Sequence, residues 1–217
     1  MEQSIQKFWD RQARRYDRAE QQFSSVYDGI IARTIKYLNE KDHVLDFGCA
    51  TGNKTMELAR KVQHIHGLDI STEMIHRAIQ KQDDSGLSNV TFSRGTLSKA
   101  DFEKASFEII TAYGILHLLE DPEKDIQRIY EFIKPGGFFI STTACVKEKM
   151  AFKTRLEVSV YLFMNKLGFF PLHMNMFATT DVERLIESQN FKIVEAEKII
   201  HGIPAIFIVA QKEHESQ

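Results

Sequence analysis

The chain has 217 residues, of which 43% are hydrophobic and 27% charged, a size and balance typical of one water-soluble α/β domain. Its 28 Lys and Arg residues against 30 Asp and Glu residues give a net charge of -2, and we find no basic stripe, which argues against nucleic acid as a partner. Two cysteines cannot build a disulfide framework, the charged N-terminus lacks the apolar run of a signal peptide, and no stretch is apolar for the length of a membrane span. The sequence therefore favours one cytoplasmic domain over residues 1–217.

The first part of the chain, residues 1–40, is predicted to form two helices. Apolar residues recur at helical spacing in the first of them, at Ile5, Phe8, Trp9, Ala13 and Tyr16. The second carries an apolar face between Tyr27 and Leu38. Such stripes among charged residues are typical of surface helices that cover a core.

From His43 onward, short apolar runs alternate with helical segments. The predicted strands are 43–47, 65–70, 89–93, 107–113 and 138–143, followed late in the chain by 191–200 and 203–211. The last two are joined by His201 and Gly202, and strands linked so closely must run antiparallel. The pattern predicts a Rossmann-like, doubly wound sheet of seven strands, mostly parallel, with a C-terminal antiparallel hairpin and helices on both faces.

Three features mark the connections between these strands. Ser71 is a predicted N-cap of a helix that ends near Gln82, and Pro122 begins a helix that ends at Ile133. The run from Lys134 to Gly137 is predicted to end that helix before the fifth strand. Residues 146–178 are predicted to be a helical insertion, with one or two helices over 146–170, and Thr180 is a candidate N-cap for the helix that follows.

The strongest functional signal is the bend after the first strand, Asp46-Phe47-Gly48-Cys49-Ala50-Thr51-Gly52. A strand ends in an acidic residue, and small residues follow at every second position. Glycine allows the backbone to approach a ligand and to turn into a helix N-terminus, where unpaired N–H groups attract anions. A nicotinamide site would need G-x-G-x-x-G, but Ala50 and Asn53 occupy the second and third glycine positions, so an oxidoreductase is the weaker alternative.

A second acidic residue, Asp69, ends the second strand. A carboxylate at that place can accept hydrogen bonds from both hydroxyls of a ribose, and the adjacent Ile70 can pack on an adenine ring. The alternative is that the Asp69-Ser71 pair only caps the next helix. The glycine bend at this spacing favours the nucleoside site.

Asp46, Gly48, Gly52 and Asp69 together resemble the first motifs of class I S-adenosylmethionine-dependent methyltransferases, although Ala50 stands where the family has glycine. The segment 89–97 resembles the family's third strand and adenine loop, which implies adenine contacts from Thr96 and Leu97; family members usually carry Asp at the position of Thr96. The segments 8–17, 107–122 and 133–137 resemble the small-molecule branch that includes quinone-biosynthesis enzymes. There the N-terminal segment folds over the cofactor, which implies that Tyr16 closes the site. The loop signature of amino-methylating DNA enzymes is absent.

The resemblance implies binding of S-adenosylmethionine, release of S-adenosylhomocysteine, and an in-line displacement that needs alignment and exclusion of water more than it needs a nucleophile or a metal. The cofactor contacts that it implies are Tyr16, Asp46, Gly48, Ala50, Thr51, Gly52, Asp69, Ile70, Thr96, Leu97 and Tyr113. If the acceptor must lose a proton, Tyr113 and His117 at the end of the fourth strand are the candidate bases. The eight histidines show no metal-ligand spacing.

The insertion 146–178 is rich in Phe, Met and Leu, so we expect it to act as an acceptor lid. A lid of this composition favours a small hydrophobic or aromatic methyl acceptor. The alternative is that these residues pack on the sheet or on a second subunit, and a homodimer is therefore a possible assembly. Two further alternatives are a non-catalytic protein that binds S-adenosylmethionine or S-adenosylhomocysteine, and an RNA methyltransferase. The acceptor atom is not determined by the sequence, because one fold supports many reactions.

Overall fold

The structure is a computed structural model that describes residues 2–214. Seven helices are present in that range: α1 (Glu2–Gln21), α2 (Ser24–Ile35), α3 (Asn53–Ala59), α4 (Thr72–Ser85), α5 (Pro122–Phe132), α6 (Phe152–Lys166) and α7 (Thr179–Glu187). The strands are β1 (His43–Phe47), β2 (His64–Asp69), β3 (Val90–Arg94), β4 (Phe107–Tyr113), β5 (Ile133–Ala144), β6 (Phe191–His201) and β7 (Ile203–Lys212). A short 3-10 turn, Leu116–Leu118, follows β4.

The strands form one sheet in the order β3-β2-β1-β4-β5-β7-β6. The first five strands pair in parallel, and β7 pairs antiparallel with both β5 and β6. The predicted doubly wound sheet with its antiparallel C-terminal hairpin is confirmed. Chain order reverses at β1, and ligands of open parallel sheets bind beyond the carboxyl ends of the strands at such a switch point.

The core lies on both faces of the sheet because neighbouring strand residues point to opposite sides. Leu45 and Ile110 pack with α5 and α7 on one face. Val44 and Ile109, each one residue earlier, pack with α2 and α3 on the other face. Since both faces are covered, the central strands carry continuous apolar runs, which is why the sequence identified them correctly.

Two sequence predictions about element ends are wrong, the start of the fifth strand and the cap of the last helix. The fifth strand begins at Ile133 rather than after Gly137, because Ile133 already pairs with Phe107 across a bulge. Residues 146–170 contain one helix, α6, which is one of the two numbers of helices that the sequence allowed. Thr180 lies inside α7; the N-cap residue is Ala178, whose N–H donates to the Asp181 carboxylate at 2.9 Å.

The Ser71 prediction is confirmed. Its hydroxyl oxygen accepts a hydrogen bond from the Met74 N–H at 3.1 Å and so caps α4. Within residues 2–214, no helix combines the length and apolarity that crossing a membrane requires.

Candidate functional site

A cavity of about 670 Å³ opens at the carboxyl ends of the central strands. Its walls come from α1, the bend after β1, the ends of β2 and β4, the turn after β3, and the first turns of α5. The volume lies in the range of small-molecule and cofactor sites. Seven of the residues predicted to contact a cofactor lie on its wall: Tyr16, Gly48, Ala50, Asp69, Ile70, Thr96 and Tyr113.

Asp69 is held by backbone N–H groups on both of its carboxylate oxygens. The N–H of Ala50 donates to Oδ2 at 3.0 Å, and the N–H of Ser71 donates to Oδ1 at 2.9 Å. A carboxylate accepts about four hydrogen bonds, so Asp69 keeps acceptor capacity beyond these donors. Burial raises the pKa of Asp69 to about 6, although the N–H groups of Ser71, Ala50 and Ile70 oppose the shift. The side chain is therefore a fixed acceptor of hydrogen bonds at the cavity wall.

The bend after β1 has a left-handed backbone at Gly48 and at Ala50. Gly48 has a φ of 75° and Ala50 a φ of 49°, and residues with a Cβ rarely adopt this left-handed region. A Cβ on Gly48 would lie 2.6 Å from Cδ1 of Ile115, which also lines the cavity. The Ala50 hydrogen bond to Asp69 holds the strained residue in place and connects the bend to the end of β2.

Asp46 supports the bend from below rather than facing the cavity. It is buried, and its carboxylate accepts hydrogen bonds from the hydroxyls of Thr55 at 2.6 Å and Thr111 at 2.8 Å. Burial raises its pKa. The Asp46 carboxylate thus connects β1 to α3 and β4. These hydrogen bonds fix the position of the loop between β1 and α3.

Three other predicted cofactor residues also lie off the cavity wall. Thr51 is buried, and its hydroxyl donates to Asp17 of α1 at 2.5 Å. Gly52 is packed so closely that a Cβ there would lie 2.7 Å from Cζ of Phe92. Leu97 is fully buried in the core, although the sequence predicted adenine contacts from both Leu97 and its neighbour Thr96. These residues shape the loops, whereas their neighbours face the cavity.

Helix α1 covers the cavity and is fixed to the domain through its acidic residues. Asp10 accepts hydrogen bonds from the Ser71 hydroxyl at 2.6 Å and the Glu73 N–H at 3.1 Å, at the N-terminus of α4. Asp17 accepts from Lys81 at 2.9 Å, and Glu20 pairs with Lys54. The apolar side of α1 contributes Ile5, Trp9 and Tyr16 to the cavity wall, so these ion pairs hold an apolar cover over the site.

Tyr113 is among the residues that line the cavity, and its buried hydroxyl shares a hydrogen bond of 2.7 Å with the Thr34 hydroxyl. Burial raises the pKa of Tyr113 far above its usual range. The phenol therefore stays protonated near neutral pH and cannot take up a proton there. Tyr16 is similar, since burial and nearby carboxylates raise its pKa as well.

His117 lies beside the cavity but does not line it, although Ile115, Leu118 and Leu119 of the same turn do. Burial lowers the pKa of His117 to about 4, so the ring is neutral at pH 7. Its Nδ1 atom is buried without a hydrogen-bond partner in the described chain. Of the two candidate bases, His117 is the one in the proton-accepting state near pH 7, but it has no described contact with the cavity.

The insertion 146–178 contributes no described residue to the cavity wall. Instead, the insertion forms hydrogen bonds with the turn after β4, and that turn lines the cavity. The Asn175 N–H donates to the His117 carbonyl at 2.8 Å, and the Asn175 side-chain amide donates to the Leu119 carbonyl at 2.7 Å. The insertion therefore contacts the site indirectly, through the turn after β4.

Sequence reasoning missed the charged rim of the cavity. One of the residues that form this rim, Glu2, lies at the start of α1. The others lie at or just before the start of α5: Glu120, Asp121, Lys124 and Asp125. Burial and the nearby Asp121 carboxylate raise the pKa of Asp125 to about 6. No motif marks these positions, and only the fold shows that the first turns of α5 face the site.

Comparison with known proteins decides the family. A family model described as a methyltransferase domain matches residues 38–198. The chain belongs to the class I S-adenosylmethionine-dependent methyltransferases. S-adenosylmethionine is the cofactor of this family, and the seven-stranded sheet described above is its fold.

The relatives of the chain are named after several different methyl acceptors. Phosphoethanolamine N-methyltransferase of Plasmodium falciparum is 33% identical over 115 residues, which cover 52% of this chain and 42% of that protein. Demethylmenaquinone methyltransferase of Lactococcus lactis is 31% identical over 112 residues, which cover 49% of this chain and 44% of that protein. The chain therefore spans less than half the length of these curated relatives. The family assignment agrees with the resemblance seen in the sequence, quinone-biosynthesis members included.

The likeness in fold extends beyond the residues that the family model matches. A Haloferax volcanii structure, described as a complex between the Trm112 methyltransferase activator and a methyltransferase, matches with a TM-score of 0.80 at 17% identity. The alignment covers 99% of this chain and 100% of that one. At this identity the likeness concerns the fold alone.

Proposed function

We propose that this methyltransferase domain transfers the methyl group of S-adenosylmethionine to a small hydrophobic or aromatic acceptor. The observation that carries the proposal is the Asp69 carboxylate, fixed by two N–H donors on the wall of a cavity that the glycine bend and α1 also line. The family membership supports the same cofactor.

The residues present fit a nucleoside with an amino-acid end. Asp69 would accept hydrogen bonds from ribose hydroxyls with its remaining acceptor capacity, and Ile70 and Met74 offer apolar surface beside it. Thr96 and Gly95 would border the base, and Gly48 and Ala50 bring backbone close to the amino-acid end. When bound, S-adenosylmethionine supplies a methyl group on a positively charged sulfur, which makes the methyl electrophilic.

The chain's own contribution is alignment and exclusion of water. We propose that α1, within the N-terminal segment 1–40, closes the cofactor site, since Trp9 and Tyr16 line the cavity while Asp10 and Asp17 bind the domain behind it. Residues 146–178 are proposed to hold the acceptor wall in place through Asn175. The apolar wall of Ile115, Leu118 and Leu119 supports a hydrophobic acceptor.

An assay for release of S-adenosylhomocysteine tests this function. The acceptor panel should contain quinol precursors, other phenols, phosphoethanolamine and an unmodified tRNA. We expect turnover with an aromatic or hydrophobic acceptor and none with tRNA. A melting shift with S-adenosylhomocysteine but no turnover with any acceptor would favour a non-catalytic binding protein, and turnover with tRNA would favour the RNA methyltransferase alternative.

The pH dependence of cofactor binding follows from Asp69. Its pKa of about 6 lies above the ordinary value of 3.8, so the folded protein takes up a proton as pH falls through about 6 and loses the anionic acceptor. We expect the Kd for S-adenosylhomocysteine to be flat above pH 7 and to rise by up to about tenfold per pH unit below 6. Calorimetry between pH 5 and 8 measures this, with circular dichroism to verify folding at each pH.

The matched control is Asp69→Asn, which removes the titrating group but keeps the side-chain shape. This variant should bind weakly with a Kd that changes little across the same pH range. If the unmodified protein binds equally well at pH 5 and pH 8, the role of the Asp69 carboxylate is contradicted.

A further inference from the structure

Helix α1 has two opposite faces of different charge. Its acidic residues point toward the domain, where Glu2 pairs with Lys99 and Asp17 with Lys81. Its cations are all exposed: Lys7, Arg11, Arg14, Arg15 and Arg18. Within the described chain, none of these cations forms a salt bridge. At about 100° per residue, they lie on one side of the helix, so the expectation that the chain has no basic stripe is wrong.

Helix α6 exposes an apolar stripe to solvent. Phe152 is 83% exposed and Phe163 62%. The stripe consists of Phe152, Leu156, Val160 and Phe163 of α6 and of Leu167, the residue that follows the helix. These five positions span less than a third of the helix circumference at the α-helical repeat. Helix α6 contains no buried residue. An exposed stripe of this size on an ordered helix marks an interaction surface.

The cations of α6 flank this stripe. Lys153 lies on one side of it, and Arg155 and Lys166 lie on the other, by the same helical repeat; all three are exposed. Lysine and arginine beside an apolar stripe can lay their aliphatic stems along a lipid interface and keep their charges among the headgroups. Basic residues beside an apolar stripe are one feature of helices that lie in the surface of a membrane, and the opposite side of α6 is also partly apolar, at Val158, Tyr161 and Leu162.

An aromatic chain connects the two helices. Phe8 of α1 makes an edge contact with Phe170, at 6.1 Å between ring centroids, and Phe170 stacks on Tyr161 of α6 at 4.9 Å. Phe8 also contacts Trp9, which lines the cavity. Phe8 lies about 60° around α1 from Arg11, and Tyr161 lies on the side of α6 away from the apolar stripe. The ring contacts therefore place α1 near the C-terminal end of α6 and leave the stripe of α6 uncovered by α1.

We propose that the basic face of α1 and the apolar stripe of α6 dock this domain on an anionic lipid surface. The cations of α1 and α6 complement the headgroup charge, and the stripe enters the interface between headgroups and acyl chains. The stripe favours lipid over RNA, since three of its five side chains, Leu156, Val160 and Leu167, are aliphatic and offer no ring for base stacking. Docking on lipid does not depend on the proposed function. The consequence that the lipid phase delivers a hydrophobic acceptor to the site does rest on the proposed function.

Co-sedimentation of the full chain with vesicles tests the docking. Vesicles of phosphatidylcholine alone are compared with vesicles that also contain phosphatidylglycerol, at low and high salt. We expect binding only to the anionic vesicles, with loss of binding as salt is raised. Arg11→Gln with Arg14→Gln should lower partitioning about fivefold per charge, and Phe152→Ser with Phe163→Ser should lower it about tenfold or more.

Matched controls remove the same chemistry elsewhere. Lys61→Gln with Lys104→Gln removes two exposed cations, and Val194→Ser removes an apolar side chain that is 44% exposed on β6. Both should leave partitioning unchanged. Binding of S-adenosylhomocysteine is measured for every variant; because none of the changed residues lines the cavity, its loss would report on the cofactor site or on folding and not on docking.

Three results would overturn the proposal. The first is absence of binding to anionic vesicles by protein that binds S-adenosylhomocysteine. The second is a dimer in sedimentation velocity that Phe152→Ser with Phe163→Ser dissociates, because the stripe would then be a contact between two copies. The third is RNA binding that Arg11→Gln with Arg14→Gln abolishes and the phenylalanine pair leaves intact.

Discussion

Asp69→Ala is expected to weaken binding of S-adenosylhomocysteine by at least about 100-fold. The carboxylate is proposed to accept two hydrogen bonds from ribose hydroxyls, and each hydrogen bond to a charged group contributes about 1.5–3 kcal/mol. Isothermal titration calorimetry measures the effect. Methyl transfer at low cofactor concentration should fall in proportion, while activity at saturating cofactor should fall less.

The control for this substitution is Asp83→Ala, which removes an exposed carboxylate from α4 and should leave the Kd unchanged. Circular dichroism and thermal melting verify that Asp69→Ala folds, since the substitution leaves the N–H groups of Ala50 and Ser71 without their acceptor. Should a folded Asp69→Ala bind the ligand within about threefold of the unmodified protein, the ribose contact would be wrong.

Gly48→Ala is expected both to destabilise the domain and to weaken cofactor binding. The left-handed φ of 75° costs a residue with a Cβ about 1–2 kcal/mol. The new Cβ would also lie 2.6 Å from Cδ1 of Ile115, and overpacking of this kind costs about 1–3 kcal/mol. Relief of that contact would move the bend or Ile115, and both line the cavity. Urea unfolding and calorimetry measure the two effects.

Gly86→Ala is the control that separates the cost of a left-handed φ from the cost of the Cβ contact with Ile115. Gly86 ends α4 with a φ of 71°, but nothing lies within 4 Å of a Cβ built there. It should lose about 1 kcal/mol of unfolding free energy and keep its affinity for S-adenosylhomocysteine. Equal losses of stability and unchanged affinity in both variants would contradict the packing described at Gly48.

The fold could be predicted from the sequence because its central strands are buried on both faces. Continuous apolar runs such as 43–47 and 107–113 leave little choice of secondary structure, and the short turn at Gly202 fixes the hairpin direction. The start of β5 could not be predicted in the same way. Proline and glycine in Lys134–Gly137 favour a turn locally, but pairing of Ile133 with Phe107 extends the strand through it.

The site was predictable where backbone geometry imposes a residue type. The bend at Gly48 needs a left-handed conformation, and the end of β2 places Asp69 beside it. Periodicity could not separate side chains that face the cavity from those beneath it, so Asp46 and Leu97 were grouped with the cavity residues although they lie in the interior. The rim formed by Asp121 and Asp125 has no sequence signature, since acidic residues are common in the first turn of any helix.

The charge of α1 shows the same limit. A net charge of -2 and an even mixture of signs suggested no basic surface. The helix sorts the signs by direction, however, because residues three and four apart share a face. Acidic residues meet the domain and cations meet solvent, an arrangement that composition alone cannot show.

Titration of the unmodified protein with S-adenosylhomocysteine and, separately, with NADH tests the central claim most directly. Calorimetry should show saturable, single-site binding of S-adenosylhomocysteine and no heat of binding with NADH, because the bend lacks the glycines of a dinucleotide site. Absence of binding to S-adenosylhomocysteine by folded protein, or a preference for NADH, would contradict the account.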